Sequence, residues 1–199
     1  MSEARRVATY ADLERVPDHL VGEIIAGELV VSPRPAGPHG LAESGLAGGL
    51  FPFNKRAEGP GGPGGWWILT EPELHLGGDV LIPDIAGWRR ERLPQGPVDA
   101  AFTVAPDWVC EILSPRTASR DRIQKMDCYL RENVQHVWLV DPLERTLEVY
   151  RRHDGNWLRV GAFAGYTRVR AEPFEAEELD MSRWWLEPTE APTEPGTTP

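Results

Sequence analysis

The sequence predicts an α/β fold in which a mixed central β-sheet is flanked by helices. Residues 108–141 have the pattern of a strand, a helix and a second strand, a unit long enough for one right-handed crossover between parallel strands. The other strand candidates are short and closely spaced, which favours hairpins and antiparallel pairs. A sheet that contains both kinds of connection is mixed.

The strand–helix–strand unit shows the clearest periodicities. A strand over residues 107–113 ends at a Ser-Pro pair, and residues 136–141 form a nearly all-apolar run, typical of a strand buried on both faces. Between them, residues 119–133 have helical spacing. One side of this predicted helix carries Ile123, Met126 and Leu130. We expect the first of the two strands to be central in the sheet.

The remaining elements are predicted from local signals. Thr9 and Asp12 indicate a short capped helix over residues 10–15, and Gly27 indicates a hairpin turn within residues 23–31. Small and apolar residues at three- and four-residue steps predict a helix from residue 39 to about residue 56. Further strands are predicted over residues 66–69, 73–76, 80–88 and 146–151.

The chain is expected to form one domain over residues 1–186, since a length of 199 residues suits a single core. Residues 187–199 consist mostly of Pro, Thr and Glu and are predicted to be a disordered acidic tail. Residues 59–65 contain only Gly and Pro, the two strongest breakers of regular structure. They predict a flexible loop or a lid.

Composition excludes several classes of protein. No stretch approaches the roughly 20 consecutive apolar residues of a transmembrane helix, and the first residues lack the apolar run of a signal peptide. We therefore expect a cytoplasmic protein without a membrane partner. The two cysteines, Cys110 and Cys128, have neither a disulfide-framework nor a zinc-site spacing and are interpreted as buried, reduced thiols.

The formal charge of −10 opposes the approach of a polyanion such as nucleic acid. The negative charge is concentrated at the C-terminus, because residues 171–199 contain eight acidic residues and one basic residue. Between Arg116 and Arg131 the balance is reversed, with five basic residues against two acidic ones. We expect any anion-binding surface to lie in this basic segment.

Two carboxylates interrupt apolar strands. Asp84 follows Pro83 within an apolar run, and Glu111 lies in the predicted central strand. A carboxylate buried there has to be paired or bound to a metal. Two acids on neighbouring strands would suit Mg²⁺, which takes few protein carboxylates and retains several waters. The alternative is that both acids pair with nearby arginines or are solvated at strand ends.

Lys125 is the candidate cation for such a site. It lies fourteen residues after Glu111, on the predicted helix, and the helical wheel places it away from Ile123 and Leu130, near Asp121 and Tyr129. A lysine close to a metal could orient the attacking water or neutralise charge that develops on a phosphate. The alternative is a solvated lysine without a chemical role.

An ordered set of short motifs resembles a known family. The set is Glu23-Ile-Ile-Ala-Gly-Glu-Leu, Ser32-Pro-Arg-Pro with His39, Pro83-Asp84-Ile85, Val109-Cys-Glu111-Ile-Leu-Ser-Pro115, Arg120-Asp-Arg-Ile-Gln-Lys125 and Val137-Trp-Leu-Val-Asp-Pro142. In content and order it resembles the Uma-two family of "putative restriction endonucleases" in the PD-(D/E)XK nuclease superfamily. The resemblance covers roughly residues 9–186 and implies a restriction-endonuclease-like core in that single domain.

The resemblance also implies a chemistry and a set of residues. Asp84 and Glu111 would be metal ligands, with the backbone carbonyl of Ile112 a third ligand. Lys125 would stand in for the usual lysine, because Leu113 occupies the position two residues after Glu111. Glu23 would be an additional catalytic acid. The implied function is a Mg²⁺-dependent endonuclease, with Mn²⁺ as a substitute ion, that cleaves nucleic acid, expected to be DNA, and that acts as a homodimer by analogy.

Several alternatives remain open from the sequence. Glu23 could be a surface acid of the hairpin, and His39 a helix-start or loop residue rather than a substrate contact. The eight tryptophans are interpreted as core residues rather than base-stacking platforms. At the level of function, the endonuclease hypothesis competes with a catalytically silent binding or regulatory module that keeps the nuclease fold.

Overall fold

The computed structural model describes residues 6–34, 37–57 and 62–187. The predicted tail beyond residue 187 and residues 59–61 of the Gly/Pro loop lie outside these ranges. The strands are β1 (Leu20–Ile25), β2 (Glu28–Pro33), β3 (Trp66–Thr70), β4 (Glu73–Leu76), β5 (Asp79–Leu81), β6 (Ile85–Arg89), β7 (Ala101–Phe102), β8 (Trp108–Ile112), β9 (His136–Asp141), β10 (Thr146–His153), β11 (Asn156–Ala164), β12 (Arg168–Val169) and β13 (Leu179–Asp180).

The described residues also form several helices. They are α1 (Tyr10–Leu13), α2 (Gly37–Leu50) and a continuous segment made of α3 (Ala118–Arg120), a π-helical turn (Asp121–Lys125) and α4 (Met126–Arg131). Short 3-10 helices cover Phe51–Phe53 and Met181–Trp184. Within the described ranges, no helix is long and apolar enough to cross a membrane.

The predicted α/β fold with a mixed central sheet is confirmed. A six-stranded sheet has the order β11-β10-β9-β8-β6-β3, in which β8 pairs with β9 in parallel and with β6 antiparallel. The helical segment from α3 to α4 forms the crossover between β8 and β9. Beside this sheet, the structure contains a five-stranded sheet in the order β2-β1-β5-β4-β7, which the sequence did not separate from the first.

The prediction of a single strand over residues 80–88 is wrong. It is two strands, β5 and β6, which belong to different sheets and are separated by Ile82-Pro83-Asp84. Pro83 has no N–H to donate to a ladder, so the chain can leave one sheet there and enter the other. Asp84 therefore lies at the junction of the two sheets.

The helical segment after β8 buries charged residues as well as apolar ones. Ile123, predicted on the apolar side, is 60% exposed, whereas Asp121 and Lys125 are both 3% exposed. Of the other two predicted apolar residues, Met126 is buried and Leu130 is half-buried. The hydrophobic pattern predicted the wrong environment for Ile123, because the site beneath this helix is polar.

An aromatic cluster forms the centre of one core. Phe174 is fully buried, and its ring centroid lies 4.8–5.6 Å from those of Phe53, Trp66, Trp108 and Trp138. Edge-to-face and tilted arrangements of this kind add to the energy of burial. The core interpretation is confirmed for six tryptophans, which are Trp66, Trp88, Trp108, Trp138, Trp184 and Trp185.

Replacing Phe174 with Ala should lower the free energy of unfolding by about 3–5 kcal/mol, because it removes a ring that four aromatic side chains contact. The matched control is Phe51→Ala, since Phe51 is 74% exposed, and its effect should stay within about 0.5 kcal/mol. Urea unfolding followed by circular dichroism measures both. Equal effects would contradict the assigned core.

Candidate active site at the junction of the two sheets

A cavity of about 500 Å³ opens where the two sheets meet. All the residues proposed from the sequence for the site line it, namely Glu23, Asp84, Glu111, Ile112 and Lys125. They come from β1, the β5–β6 junction, β8 and the π-helical turn. The fold thus brings together residues that are up to 102 positions apart in the chain.

Glu111 is buried in the central strand of the larger sheet and is 3% exposed. Both of its carboxylate oxygens have protein donors: Lys125 Nζ lies 3.1 Å from Oε2, and the Tyr129 hydroxyl donates to Oε1. Burial raises the pKa of Glu111 well above its ordinary value, and the charge of Lys125 opposes this rise. The lysine therefore favours the ionised carboxylate in a place that would otherwise disfavour it.

Lys125 connects two acids. Its Nζ is 2.9 Å from Glu23 Oε1 and 3.1 Å from Glu111 Oε2, and it also donates to the Ile82 carbonyl at 3.4 Å. Burial lowers its pKa, but the charges of the surrounding acids raise the pKa by more than burial lowers it. The net pKa is therefore well above the ordinary value. Lys125 is a buried cation, and the alternative of a solvated lysine is wrong.

The helical segment presents its polar residues at four-residue intervals. Asp121, Lys125 and Tyr129 are all buried and share one face. The π-helical turn over residues 121–125 is a local widening of the kind often found at functional sites. This face supplies both donors to Glu111.

Glu23 is an interior acid of β1, and its interpretation as a surface residue of the hairpin is wrong. It is 5% exposed, and its Oε1 accepts a hydrogen bond from the Ile82 amide at 2.9 Å as well as from Lys125. Arg120 lies 3.9 Å from its Oε2. Glu23 thereby ties the smaller sheet to the segment before Asp84.

Asp84 is fixed on both of its oxygens. Oδ2 accepts a hydrogen bond from the Ile112 amide at 2.5 Å, and His39 Nε2 lies 3.1 Å from Oδ1. The Asp84 side chain is 15% exposed, which makes it the most accessible of the three acids. Its position at the sheet junction directs it towards the cavity that it lines.

His39 lies in the first turn of α2, as one sequence interpretation held, and it also reaches the site. Burial lowers its pKa, whereas the hydrogen bond to Asp84 and the charges of Asp84 and Glu43 raise it, and the net pKa is above the ordinary value. Its Nδ1 is buried and has no hydrogen-bond partner in the described part of the chain. An unpaired buried polar atom costs about 1–3 kcal/mol.

The carboxylate oxygens of Asp84 and Glu111 are ligands of the type that Mg²⁺ binds. Each carboxylate oxygen of Asp84 and Glu111 has one donor among the described residues, and a carboxylate oxygen has two acceptor positions. A hard cation that retains several waters can use such a set. Among residues 6–34, 37–57 and 62–187, no group of three or more His, Cys, Asp or Glu side chains is arranged so that it could hold a metal ion by itself. Water and main-chain oxygen would have to complete the coordination.

The predicted basic segment is divided by the fold. Arg116 and Arg120 line the cavity together with Arg34 from the segment after β2. By contrast, Arg122 pairs with Glu148 at 2.6 Å and Arg131 pairs with Asp79 at 2.5 Å, both away from the cavity lining. The basic residues that line the cavity thus come from the beginning of the predicted segment.

Two contributors were not predicted as site residues. Tyr129 was noted only as a neighbour of Lys125 on the helical wheel, and its hydroxyl contacts Glu111. Glu43 follows His39 by one helical turn, and burial together with the charges of Asp84 and Glu71 raises its pKa to about 7. The four-residue spacing from His39 was the available signal, but it became informative only once Asp84 was placed beside α2.

Replacing Lys125 with Met should lower the free energy of unfolding at neutral pH by about 3–5 kcal/mol, because it leaves two buried carboxylates without their cation. The deficit should shrink as the pH falls, since protonated carboxyl groups need no counter-charge. Arg122→Met on the same helical segment is the control, and loss of its more exposed ion pair should cost no more than about 1 kcal/mol. A Lys125→Met variant as stable as the control would contradict the assigned role.

Comparisons with known proteins agree with this architecture. A family model, Uma2, described as "Putative restriction endonuclease", matches residues 7–182. A solved structure, titled as a "putative nuclease belonging to DUF820" from Anabaena variabilis ATCC 29413, superposes with a TM-score of 0.70 at 24% sequence identity. The match covers 89% of this chain and 97% of that one. No curated protein matches the chain.

Proposed function

Because the chain belongs to the Uma2 family, we propose that it is a metal-dependent endonuclease that hydrolyses phosphodiester bonds, with DNA as its substrate. The observation that carries the proposal is the buried Lys125, held by Glu23 and Glu111 beside Asp84 in one cavity. A structural ion pair alone would not require a third acid and an arginine-lined opening next to it.

The proposed metal ligands are Asp84, Glu111 and the carbonyl of Ile112, with Mg²⁺ as the ion. The Ile112 amide donates a hydrogen bond to Asp84, so this part of β8 faces the acids. When bound, the ion would supply activation of water and stabilisation of charge on the phosphate. Mn²⁺ should substitute, since it also accepts carboxylate, carbonyl and water ligands.

Lys125 acts as a fixed positive charge in this proposal. The charges of the surrounding acids raise its pKa, which favours the protonated form and a role as a charge rather than as a base. A preorganised cation in a water-poor site stabilises charge that develops on a phosphate. Glu23 holds Lys125 in place through its 2.9 Å contact and thus contributes to the same stabilisation.

The arginines at the opening provide the contact to the substrate backbone. Arg116 is exposed, and no ionic partner is found for it in the described part of the chain, so its charge is available to a phosphate. Guanidinium groups bind phosphate oxygens in a bidentate manner. This local positive charge offsets the net charge of −10 where the substrate would enter.

The decisive variant is Asp84→Asn, which keeps the shape of the side chain and removes its charge. With Mg²⁺ and plasmid DNA, its cleavage rate should fall to that of the metal-free control, because a neutral amide oxygen is a poor ligand for a hard cation. Asp127→Asn, at an exposed position on α4, is the matched control and should cleave like the wild type. Thermal unfolding of both variants excludes loss of folding as the cause.

Cleavage by Asp84→Asn at the wild-type rate would contradict the proposed site. A wild-type protein that binds DNA in the presence of Mg²⁺ or Mn²⁺ but leaves it intact would support the competing function, a binding or regulatory module with the nuclease fold.

A further inference from the structure

We infer that His39 is a positioning residue for Asp84, one that holds the carboxylate so that the opposite side of Oδ1 remains available to a metal ion. The inference rests on the proposed function, because it concerns the same metal site. It assigns to α2 a role in the chemistry that the sequence did not predict.

The geometry around Asp84 is the first argument. Two donors approach the carboxylate from two different elements: the Ile112 amide from β8 reaches Oδ2 at 2.5 Å, and His39 Nε2 from α2 lies 3.1 Å from Oδ1. One donor on each oxygen fixes both the tilt and the rotation of the carboxylate plane. Without the histidine, only the hydrogen bond from the Ile112 amide would hold the carboxylate, and the carboxylate could rotate about it.

The anchoring of α2 is the second argument. Ala42, Leu46 and Leu50 on this helix are completely buried in the aromatic core, which fixes the helix against the larger sheet. His39 is itself nine-tenths buried. Its ring nitrogen is thus held at a defined distance from Asp84 by the packing of the whole helix.

The unpaired ring nitrogen is the third argument. Nδ1 of His39 has no hydrogen-bond partner among the described residues. The histidine therefore contributes through Nε2, and the group that it contacts there is Asp84.

The test measures metal affinity rather than activity. Mn²⁺ binding is followed by calorimetry at one fixed pH for the wild type, His39→Ala, His39→Gln and the exposed control His19→Ala. His39→Ala should weaken binding by about 10–100-fold, the range found when a partner of a metal ligand is lost. His39→Gln can place an amide N–H near the former Nε2 position and should recover most of the affinity.

The thermal midpoint separates positioning from folding. His39→Ala should lose some thermal stability, because it leaves a cavity and removes the contact with Asp84, but it should still unfold cooperatively well above the temperature of the calorimetry. His19→Ala should match the wild type in both measurements.

Each contrary outcome overturns the inference. Unchanged affinity in His39→Ala would show that Asp84 needs no such support, and tighter binding would show that His39 competes with the ion. Equal loss in the Ala and Gln variants would identify His39 as a ligand or a packing residue instead. A wild-type protein that does not bind Mn²⁺ would refute the proposed metal site itself, and this inference with it.

Discussion

The buried contact between Lys125 and the acids Glu23 and Glu111 is the constraint on which the rest of the site depends. Each of the three side chains is at most 7% exposed, so the two acids depend on the lysine, and the lysine on the acids, to remain charged in the interior. The contact joins three elements that are distant in sequence: β1 of the smaller sheet, β8 of the larger sheet and the helical crossover. Removing Lys125 would leave two carboxylates without a cation at the place where the two sheets meet.

The two sheets explain why a cavity exists beside this contact. At Ile82-Pro83-Asp84 the chain leaves the smaller sheet and enters the larger one, and the gap between the sheets is lined by polar groups from both. The Ile82 amide binds Glu23, while the Ile112 amide binds Asp84, so main-chain donors at the junction satisfy the carboxylates. Packing of α2 on the aromatic core closes the remaining side and brings His39 to Asp84. The same packing that joins the two sheets therefore positions the residues of the site.

The sequence predicted the parts with strong local signals. The parallel unit was predicted from the apolar run at β9, the helical spacing before it and the Ser-Pro stop after β8. The prediction that Asp84 and Glu111 come from neighbouring strands agrees with the pairing of β6 with β8. The meeting of Glu23, Asp84, Glu111 and Lys125 in one cavity was predicted from the ordered motifs and their resemblance to a family. Their proposed roles in catalysis stay predictions.

Other features could not be predicted, because they depend on tertiary contacts that leave no local pattern in a single sequence. Ile123 fitted an apolar stripe, yet it is exposed because the helix face above the site has to carry Lys125 and Tyr129. The division of residues 80–88 between two sheets was signalled only by Pro83, which is equally compatible with an edge strand. The pairing of His39 with Asp84 joins residues 45 positions apart and follows from helix packing.

The most direct test of this account is an anomalous diffraction experiment on crystals grown with Mn²⁺. The account predicts one strong anomalous peak in the cavity, within coordination distance of oxygens of Asp84 and Glu111 and of the Ile112 carbonyl, with Lys125 still contacting Glu23. A cavity without a peak at saturating Mn²⁺, or a peak bound only by acids outside the sheet junction, would contradict it.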